Sequence, residues 1–188
     1  IAVVKPAGIL SQSDASGDPS MMDQVKKYLK EKYQKPGNVF LGLMHRLDRP
    51  VYGVMLFAKT SKGASRLSEQ FRNHAIEKAY QALVLGTPQE KMGTLRNKII
   101  KDVKLKKGRE GSDGDDVTLH YEVISSNKKY SLLKVQIEEG KFHQIRTQLS
   151  LAGLPIVGAV KYQGARWDHA TSIPSPPTQL NVQGATSR

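Results

Sequence analysis

The chain has 188 residues and contains no cysteine, so disulfides, thiolate chemistry and cysteine-based zinc sites are excluded. This length suits one domain with a buried core and is short for two. Lys and Arg number 29 against 17 Asp and Glu, a net charge of +12 that favours a polyanionic partner, with nucleic acid ahead of an anionic membrane. No apolar run approaches the roughly 18 residues needed to span a bilayer, so we expect no membrane partner.

The first half of the chain predicts two strands and two helices. IAVV predicts a short strand that ends at the turn KPAG, because Pro6 and Gly8 disfavour its continuation. Ser20 predicts the N-cap of a helix, since Asp23 follows at capping-box spacing. GVMLFAK then predicts a buried strand, and TSKGASRLSEQFRNHA predicts a helix with apolar residues at helical spacing.

Strands dominate the second half of the chain. KAYQALVLG alternates between two faces, and VTLHYEVISS with YSLLKVQIEEG predicts a hairpin pair. KFHQIRTQLSLAG predicts a helix that ends at Gly153 and Pro155. No βαβ alternation is visible, so the order predicts an α+β fold built on a largely antiparallel sheet. We assign residues 1–163 to one domain and residues 164–188 to an irregular, Pro-rich tail.

The segment LMHRLDRPVYGVML places Asp48 between Arg46 and Arg49, immediately before a predicted buried strand. A solvated ion pair with a neighbouring Arg is the ordinary explanation for such an acid. At the rim of a core, however, screening is weaker, and a nearby Arg favours the charged form of a carboxylate. An oriented, ionised carboxylate can act as a nucleophile or as a base. Asp48 is therefore a candidate reactive group.

Two further residues and one charged segment are candidates for function. Arg146 lies near the edge of the apolar face of its predicted helix, where it is either an exposed Arg or one that needs a carboxylate partner such as Asp48. Tyr80 is either a core aromatic or a ring on which a base stacks. Residues 96–109 carry seven basic residues against one acid, which suits a solvated surface or a strip that contacts phosphates. The histidines have no metal-ligand spacing, so we expect no metal site.

Four motifs, in the order that the family has them, carry a resemblance. They are VVKPAG near the start, HRLDRPVYG around Asp48, EKAYQALVLG around Tyr80 and KFHQIRTQLSLAGLPIVGAVKY around Arg146. On these motifs the chain resembles the RluA-type pseudouridine synthases from residue 2 to residue 163. The resemblance implies an α+β fold with a mixed, mainly antiparallel central sheet flanked by helices, and it makes residues 1–163 the catalytic domain.

The resemblance implies an RNA-modifying isomerase that converts uridine to pseudouridine in structured RNA without a cofactor or a metal. Such an enzyme breaks the N-glycosidic bond, turns the base and rejoins it through carbon. Motif by motif, Asp48 is the implied catalytic carboxylate, Arg146 its ion-pair partner and Tyr80 the aromatic residue at the base. The implied RNA-binding residues are His45, Arg46, Arg49, Lys78, Lys141, His143 and Ile145.

The resemblance also sets expectations about partners and compartment. Ribosomal RNA is the expected substrate, with transfer RNA next and a pre-ribosomal particle as a further candidate partner. The target uridine and the oligomeric state are left open by the sequence. We expect the cytoplasm as the compartment, with a mitochondrion or another organelle as the alternative if a targeting segment precedes Ile1.

Departures from the family pattern motivate an alternative function. Pro50-Val51-Tyr52 stand where the family usually has small and hydroxyl residues, and Ala159 stands where an acid is expected. The alternative is a synthase-like RNA-binding or ribosome-assembly factor in which catalysis is secondary or lost. A protein kinase is disfavoured because the chain lacks GxGxxG, VAIK and DFG motifs. A glycosidase is disfavoured because it needs two carboxylates, and only Asp48 stands out.

Overall fold

Residues 1–166 are described by the computed structural model, and they divide between two units, residues 1–75 and residues 76–166. The predicted tail, residues 164–188, lies outside the described residues from position 167 onward. Each unit has its own sheet, and every pairing between the strands of these described residues is antiparallel. The prediction of an α+β fold with mainly antiparallel strands is confirmed.

The first unit combines a small sheet with two helices. Its elements are β1 (Ala2–Lys5), α1 (Met21–Lys32), β2 (Gly42–Leu43), β3 (Gly53–Ala58) and α2 (Ser61–Arg72). Strand β3 is central in the order β1-β3-β2, and its Met55 and Phe57 are fully buried. Ser20 caps helix α1, because its hydroxyl accepts a hydrogen bond from the Asp23 amide, as the sequence predicts.

The second unit is built on a five-stranded sheet. Its elements are β4 (Lys78–Leu85), β5 (Met92–Asp102), β6 (Lys107–Glu110), β7 (Asp115–Ser126), β8 (Tyr130–Ile137), α3 (Gln144–Leu151) and a short 3-10 helix (Val160–Tyr162). The strand order is β4-β8-β7-β5-β6. Strands β7 and β8 form the predicted hairpin, and β4 pairs with β8. The basic run 96–109 forms the end of β5, the turn after it and most of β6, and these two strands pair with each other.

The core of the second unit lies between the sheet and α3. Alternate residues of β4 and β8 are buried, and Leu149 of α3 packs into the same cluster. Burying each such side chain contributes about 1.5–3 kcal/mol to folding. The cluster consists of Ala82, Val84, Leu119, Leu133, Val135, Ile137, Leu149 and Leu154. Among residues 1–166, no helix is long and apolar enough to cross a bilayer.

Candidate active site

Asp48 lies in the loop that joins β2 to β3, at the edge of the core of the first unit. Leu47, immediately before it, is buried, whereas Asp48 is half-buried and Arg46 is exposed. The Asp48 carbonyl accepts a hydrogen bond from the Val51 amide at 2.9 Å, which turns the chain into β3. A half-buried carboxylate between an apolar core and solvent is the environment that the sequence predicts for this residue.

The backbone on both sides of Asp48 is bonded to the segment that follows β1. On one side, the buried Ser11 hydroxyl donates to the Leu47 carbonyl at 2.5 Å and accepts from the Leu47 amide at 3.0 Å. On the other side, the Gly8 amide donates to the Arg49 carbonyl at 2.8 Å. These bonds fix the main chain at the two residues that flank the carboxylate.

Lys5 makes the second bond to the Arg49 carbonyl. Its side chain is fully buried, and its ammonium group donates to the carbonyls of Pro6, Ile9 and Arg49 at 3.0, 2.8 and 3.1 Å. An ammonium group has three donors, so all of them are used. Burial lowers the pKa of Lys5, and the charge of Asp48 acts in the opposite direction. A buried cation thus lies close enough to Asp48 for the two charges to interact.

The other predicted residues of this loop have contacts of their own. Arg49 forms an ion pair with Asp18, at 2.7 Å, and its Nε donates to the Gly8 carbonyl at 2.9 Å. His45 accepts a hydrogen bond from the Leu56 amide through Nε2 at 3.0 Å, so one of its ring nitrogens holds β3. Arg46 is the exposed basic residue next to this strand entrance.

In the second unit, Tyr80 and Ile145 border the same core. Tyr80 lies on β4 opposite Val135 of β8, and Ile145 lies on α3. Both are half-buried and pack against the cluster of buried residues between the sheet and the helix. The structure therefore brings these two predicted residues to one apolar region.

Two buried glutamines hold helix α3, which carries Arg146. The Gln144 carboxamide accepts from the Gly140 and Lys141 amides at 2.9 and 3.0 Å, and it donates to Gln148 at 3.2 Å. Gln148 is fully buried, and its Nε2, which has two hydrogens to donate, lies 3.0 and 3.3 Å from the Leu95 and Val117 carbonyls of β5 and β7 and 3.1 Å from Asn97 Oδ1.

Arg146 itself is half-buried. It lies two residues from each of these glutamines and therefore on a different side of the helix. The glutamines thus fix the helix to the sheet and leave the side that carries Arg146 to other contacts.

His143 is the N-cap residue of α3 and has a left-handed backbone, φ 53°, and its ring contacts aromatic neighbours. Its Nδ1 lies 2.9 Å from the Tyr162 hydroxyl, and its ring stacks on Phe142 at 3.9 Å between centroids. The same hydroxyl accepts from the Gly108 amide at 2.6 Å. Tyr162 thus ties the start of α3 to β6, the strand that carries part of the basic run.

The two predicted RNA-binding lysines of this unit are near the turn that precedes α3. Lys78 donates to the carbonyls of Glu138 and Glu139. Burial lowers the pKa of Lys78, and the Glu139 carboxylate opposes that effect. Lys141 forms an ion pair with Asp115 at 2.9 Å. Both ammonium groups are therefore engaged with the protein itself.

No group of three or more His, Asp or Glu side chains suited to a metal ion is present in the described part of the chain. The candidate residues instead offer one half-buried carboxylate in the first unit. In the second unit they offer one half-buried guanidinium, and a Tyr and an Ile that each border the buried core. A carboxylate such as that of Asp48 suits proton transfer or nucleophilic attack, and a ring such as that of Tyr80 suits stacking on a base.

The family model described as RNA pseudouridylate synthase matches residues 1–151, a range that includes Asp48, Tyr80 and Arg146. The chain belongs to the RNA pseudouridylate synthase family. The predicted membership of this family is thereby confirmed.

Individual members of the RNA pseudouridylate synthase family are similar to most of the chain. It is 37% identical over 134 residues to an uncharacterized RNA pseudouridine synthase of Chloroflexus aurantiacus, covering 71% of this chain and 42% of that protein. It is 31% identical over 166 residues to ribosomal large subunit pseudouridine synthase C of Rickettsia prowazekii, covering 86% and 53% respectively. The solved structure of human RNA Pseudouridylate Synthase Domain Containing 4 matches with a TM-score of 0.73 at 25% identity, covering 96% of this chain and 69% of that one. The chain spans about half the length of the curated relatives it matches.

Four residues that hold the candidate site residues in place were not predicted from the sequence. Lys5 and Ser11 support the Asp48 loop, and Gln144 and Gln148 support α3. A lysine directly after an apolar strand and before Pro6 is the one local signal for the first pair. For the glutamines the signal is their spacing of four in the predicted helix, next to apolar residues that face the core.

Proposed function

We propose that the chain is the catalytic part of an enzyme that converts uridine to pseudouridine in structured RNA. The observation that carries this proposal is the family match over residues 1–151, which includes the motifs around Asp48, Tyr80 and Arg146. The reaction breaks the bond between N1 of the base and the sugar and forms a bond from C5 of the base to the same sugar carbon. The proton that C5 loses is balanced by the one that N1 gains.

Asp48 is the proposed catalytic carboxylate. Cleavage of the glycosidic bond needs a group that attacks the sugar or removes a proton from it, and an oriented carboxylate can do either. Asp48 suits this chemistry because it is half-buried, because its loop is bonded on both sides, and because it interacts with the cation of Lys5. The proposal holds for either role of the carboxylate.

Arg146 and Tyr80 are proposed to complete the site. Arg146 pairs with Asp48 in this proposal and keeps the carboxylate ionised and directed at the sugar. Tyr80 presents its ring to the uracil, with Ile145 beside it on the same apolar region. Because one aromatic face accepts any base, these residues position the base, and discrimination between RNAs depends on other contacts.

Binding of the RNA is proposed to depend on the basic surface of the protein. The net charge of +12 favours phosphate contacts, and these supply affinity more than sequence discrimination. A uridine in a duplex or a closed loop must be flipped out to be reached, at a cost of a few kcal/mol. The exposed Arg46, two residues before Asp48, is the proposed side chain that fills the space the base leaves.

Ribosomal RNA is the proposed substrate class, with transfer RNA as the second candidate. The support comes from relatives whose names are ribosomal large subunit pseudouridine synthase C, from Rickettsia prowazekii, and D, from Zymomonas mobilis. The test of this substrate class is to map pseudouridines across the RNAs of cells that lack the full-length protein. We expect specific sites, in large-subunit RNA first, to disappear and to return with the wild-type protein but not with Asp48→Asn.

The same experiment separates the enzyme from the alternative, an RNA-binding or assembly factor. A factor of that kind leaves the pseudouridine map unchanged, and Asp48→Asn restores ribosome assembly as well as the wild type does. That outcome would overturn the proposed activity.

Arg146→Leu tests the proposed partner of Asp48. We expect it to lower the rate of pseudouridine formation at least about 10-fold while changing RNA affinity less than about threefold, because the pair acts on the reacting groups. Arg72→Leu, at an exposed position of α2, is the control with the same charge change. If Arg146→Leu lowers RNA affinity and rate by the same factor, the proposed pairing is wrong.

A further inference from the structure

The loop that carries Asp48 differs from an ordinary surface loop in how its main chain is held. Two buried side chains from one segment, Lys5 and Ser11, bond to the residues on either side of the carboxylate. Buried polar side chains are nearly always hydrogen-bonded, and most side-chain hydrogen bonds go to backbone groups or water. Here both side chains hydrogen-bond to the backbone of the two residues that flank Asp48, namely Leu47 and Arg49.

We propose that Lys5 and Ser11 are positioning residues that fix the direction of the Asp48 carboxylate by clamping the backbone of its two neighbours. This inference rests on the proposed function, because it assigns the clamp to the same reaction. Neither residue needs to touch the RNA for this role, and each acts through the main chain of the Asp48 loop.

Ser11 closes one side of the clamp with a single atom. Its O–H group donates to the Leu47 carbonyl and its oxygen accepts from the Leu47 amide, so one side chain satisfies both polar groups of that residue. The site is closed to solvent, since Ser11 is 6% exposed. Alanine at this position would leave the amide and the carbonyl of Leu47 without these partners, and water cannot easily replace them.

Lys5 closes the other side. Two of its three hydrogen bonds go to Pro6 and Ile9, within the segment that bears Ser11, and the third goes to Arg49. The lysine therefore joins the two segments through one ammonium group. Its positive charge also interacts with Asp48, which adds an electrostatic contribution that a neutral residue could not supply.

The expected consequence of loosening the clamp is a loss of rate more than a loss of binding. A displacement of about 1 Å in a reacting group costs about 100-fold in rate, because the near-attack geometry is lost. RNA affinity depends mostly on phosphate contacts, which the clamp does not make. A variant with a loosened clamp should therefore have a lower kcat and a nearly unchanged KM.

Ser11→Ala is the decisive variant, and Ser131→Ala is its matched control. Ser131 is 1% exposed and donates to the Gly86 carbonyl at 2.8 Å, so the control also removes a buried serine hydroxyl from a backbone carbonyl. We expect Ser11→Ala to lower kcat about 10- to 100-fold with KM within about twofold, and Ser131→Ala to lower kcat less than about twofold. Ser11→Thr keeps the hydroxyl and is expected to retain most of the rate.

Amide hydrogen exchange gives a readout that does not depend on activity. The Val51 amide donates to the Asp48 carbonyl, so its protection reports the order of the loop. We expect Ser11→Ala to speed exchange at Val51 at least about 10-fold relative to Ser131→Ala, since local opening controls exchange. Lys5→Met, which removes the charge and three donors, should have the larger effect on both readouts.

The clamp and the proposed function fail in different ways. Equal kcat and equal Val51 exchange in Ser11→Ala and Ser131→Ala would overturn the clamp even if the wild type is active. Absence of pseudouridine formation by the wild type would overturn the proposed function, and the exchange measurement would still decide whether Ser11 holds the loop. If Lys5→Met does not fold, the comparison of Ser11→Ala with Ser131→Ala alone tests the clamp.

Discussion

Replacing Gln148 by Met removes one buried carboxamide and keeps nearly the same side-chain length. Gln148 is fully buried, and the loss leaves the Leu95 and Val117 carbonyls without its two hydrogen bonds. The other partners, Gln144 and Asn97, keep further hydrogen bonds of their own. Each lost bond to a buried group costs about 1–1.5 kcal/mol, so we expect the free energy of unfolding to fall by about 2–3 kcal/mol. That is a large part of the roughly 5–15 kcal/mol that stabilises a typical domain.

Urea unfolding followed by circular dichroism measures this loss. Gln24→Met, on the exposed side of α1, is the matched control and should change the free energy of unfolding by less than about 0.5 kcal/mol. Equal stabilities of the two variants would show that the Gln148 network contributes little and would refute the reasoning. An increase in stability on Gln148→Met would refute it as well, because it would mean that an apolar side chain suits this position better.

Two further predictions concern single interactions. Tyr162→Phe removes the acceptor of the buried Gly108 amide and the partner of His143, so we expect a loss of about 1–3 kcal/mol in urea unfolding; an unchanged midpoint would contradict it. Hydrogen bonds from Ser13 and then Ser20 lower the pKa of Asp23 from 3.8, so the unfolded state binds the proton first as the pH falls. The difference in free energy of unfolding between the wild type and Asp23→Asn should be constant above about pH 5 and should shrink as the pH falls below 3.8. A difference that stays constant down to about pH 2 would contradict this assignment of the lowered pKa to Asp23.

Local patterns were sufficient to predict much of the fold. The capping-box spacing at Ser20 predicted the start of α1, because that interaction is complete within four residues. Strict alternation between two faces predicted β4. Strand pairs separated by a short polar turn predicted β7 and β8. The half-buried position of Asp48 also followed from local information, namely its place just before an apolar strand.

Contacts between distant parts of the chain could not be predicted in this way. Ser11 bonds to Leu47 across 36 positions and Gln148 bonds to Leu95 across 53, so no window of sequence contains both partners. The place of Lys5 between an apolar strand and Pro6 is only a weak signal for a buried lysine that bonds to carbonyls, since lysine is ordinarily exposed. The strands formed by the basic run were hidden by their charge, because exposed alternate positions there are Lys and Arg. The pairing of Asp48 with Arg146 stays a prediction from the family resemblance.

The most direct test of the central proposal is pseudouridine formation in vitro with wild type and Asp48→Asn on fragments of ribosomal and transfer RNA. The substitution keeps the shape of the side chain and removes its charge, so RNA binding serves as the internal control. We predict product with the wild type, at least about 100-fold less with Asp48→Asn, and equal RNA affinity for the two. Equal product from both proteins, or RNA binding by both with no product from either, would contradict the proposal that this chain is a pseudouridine synthase that depends on Asp48.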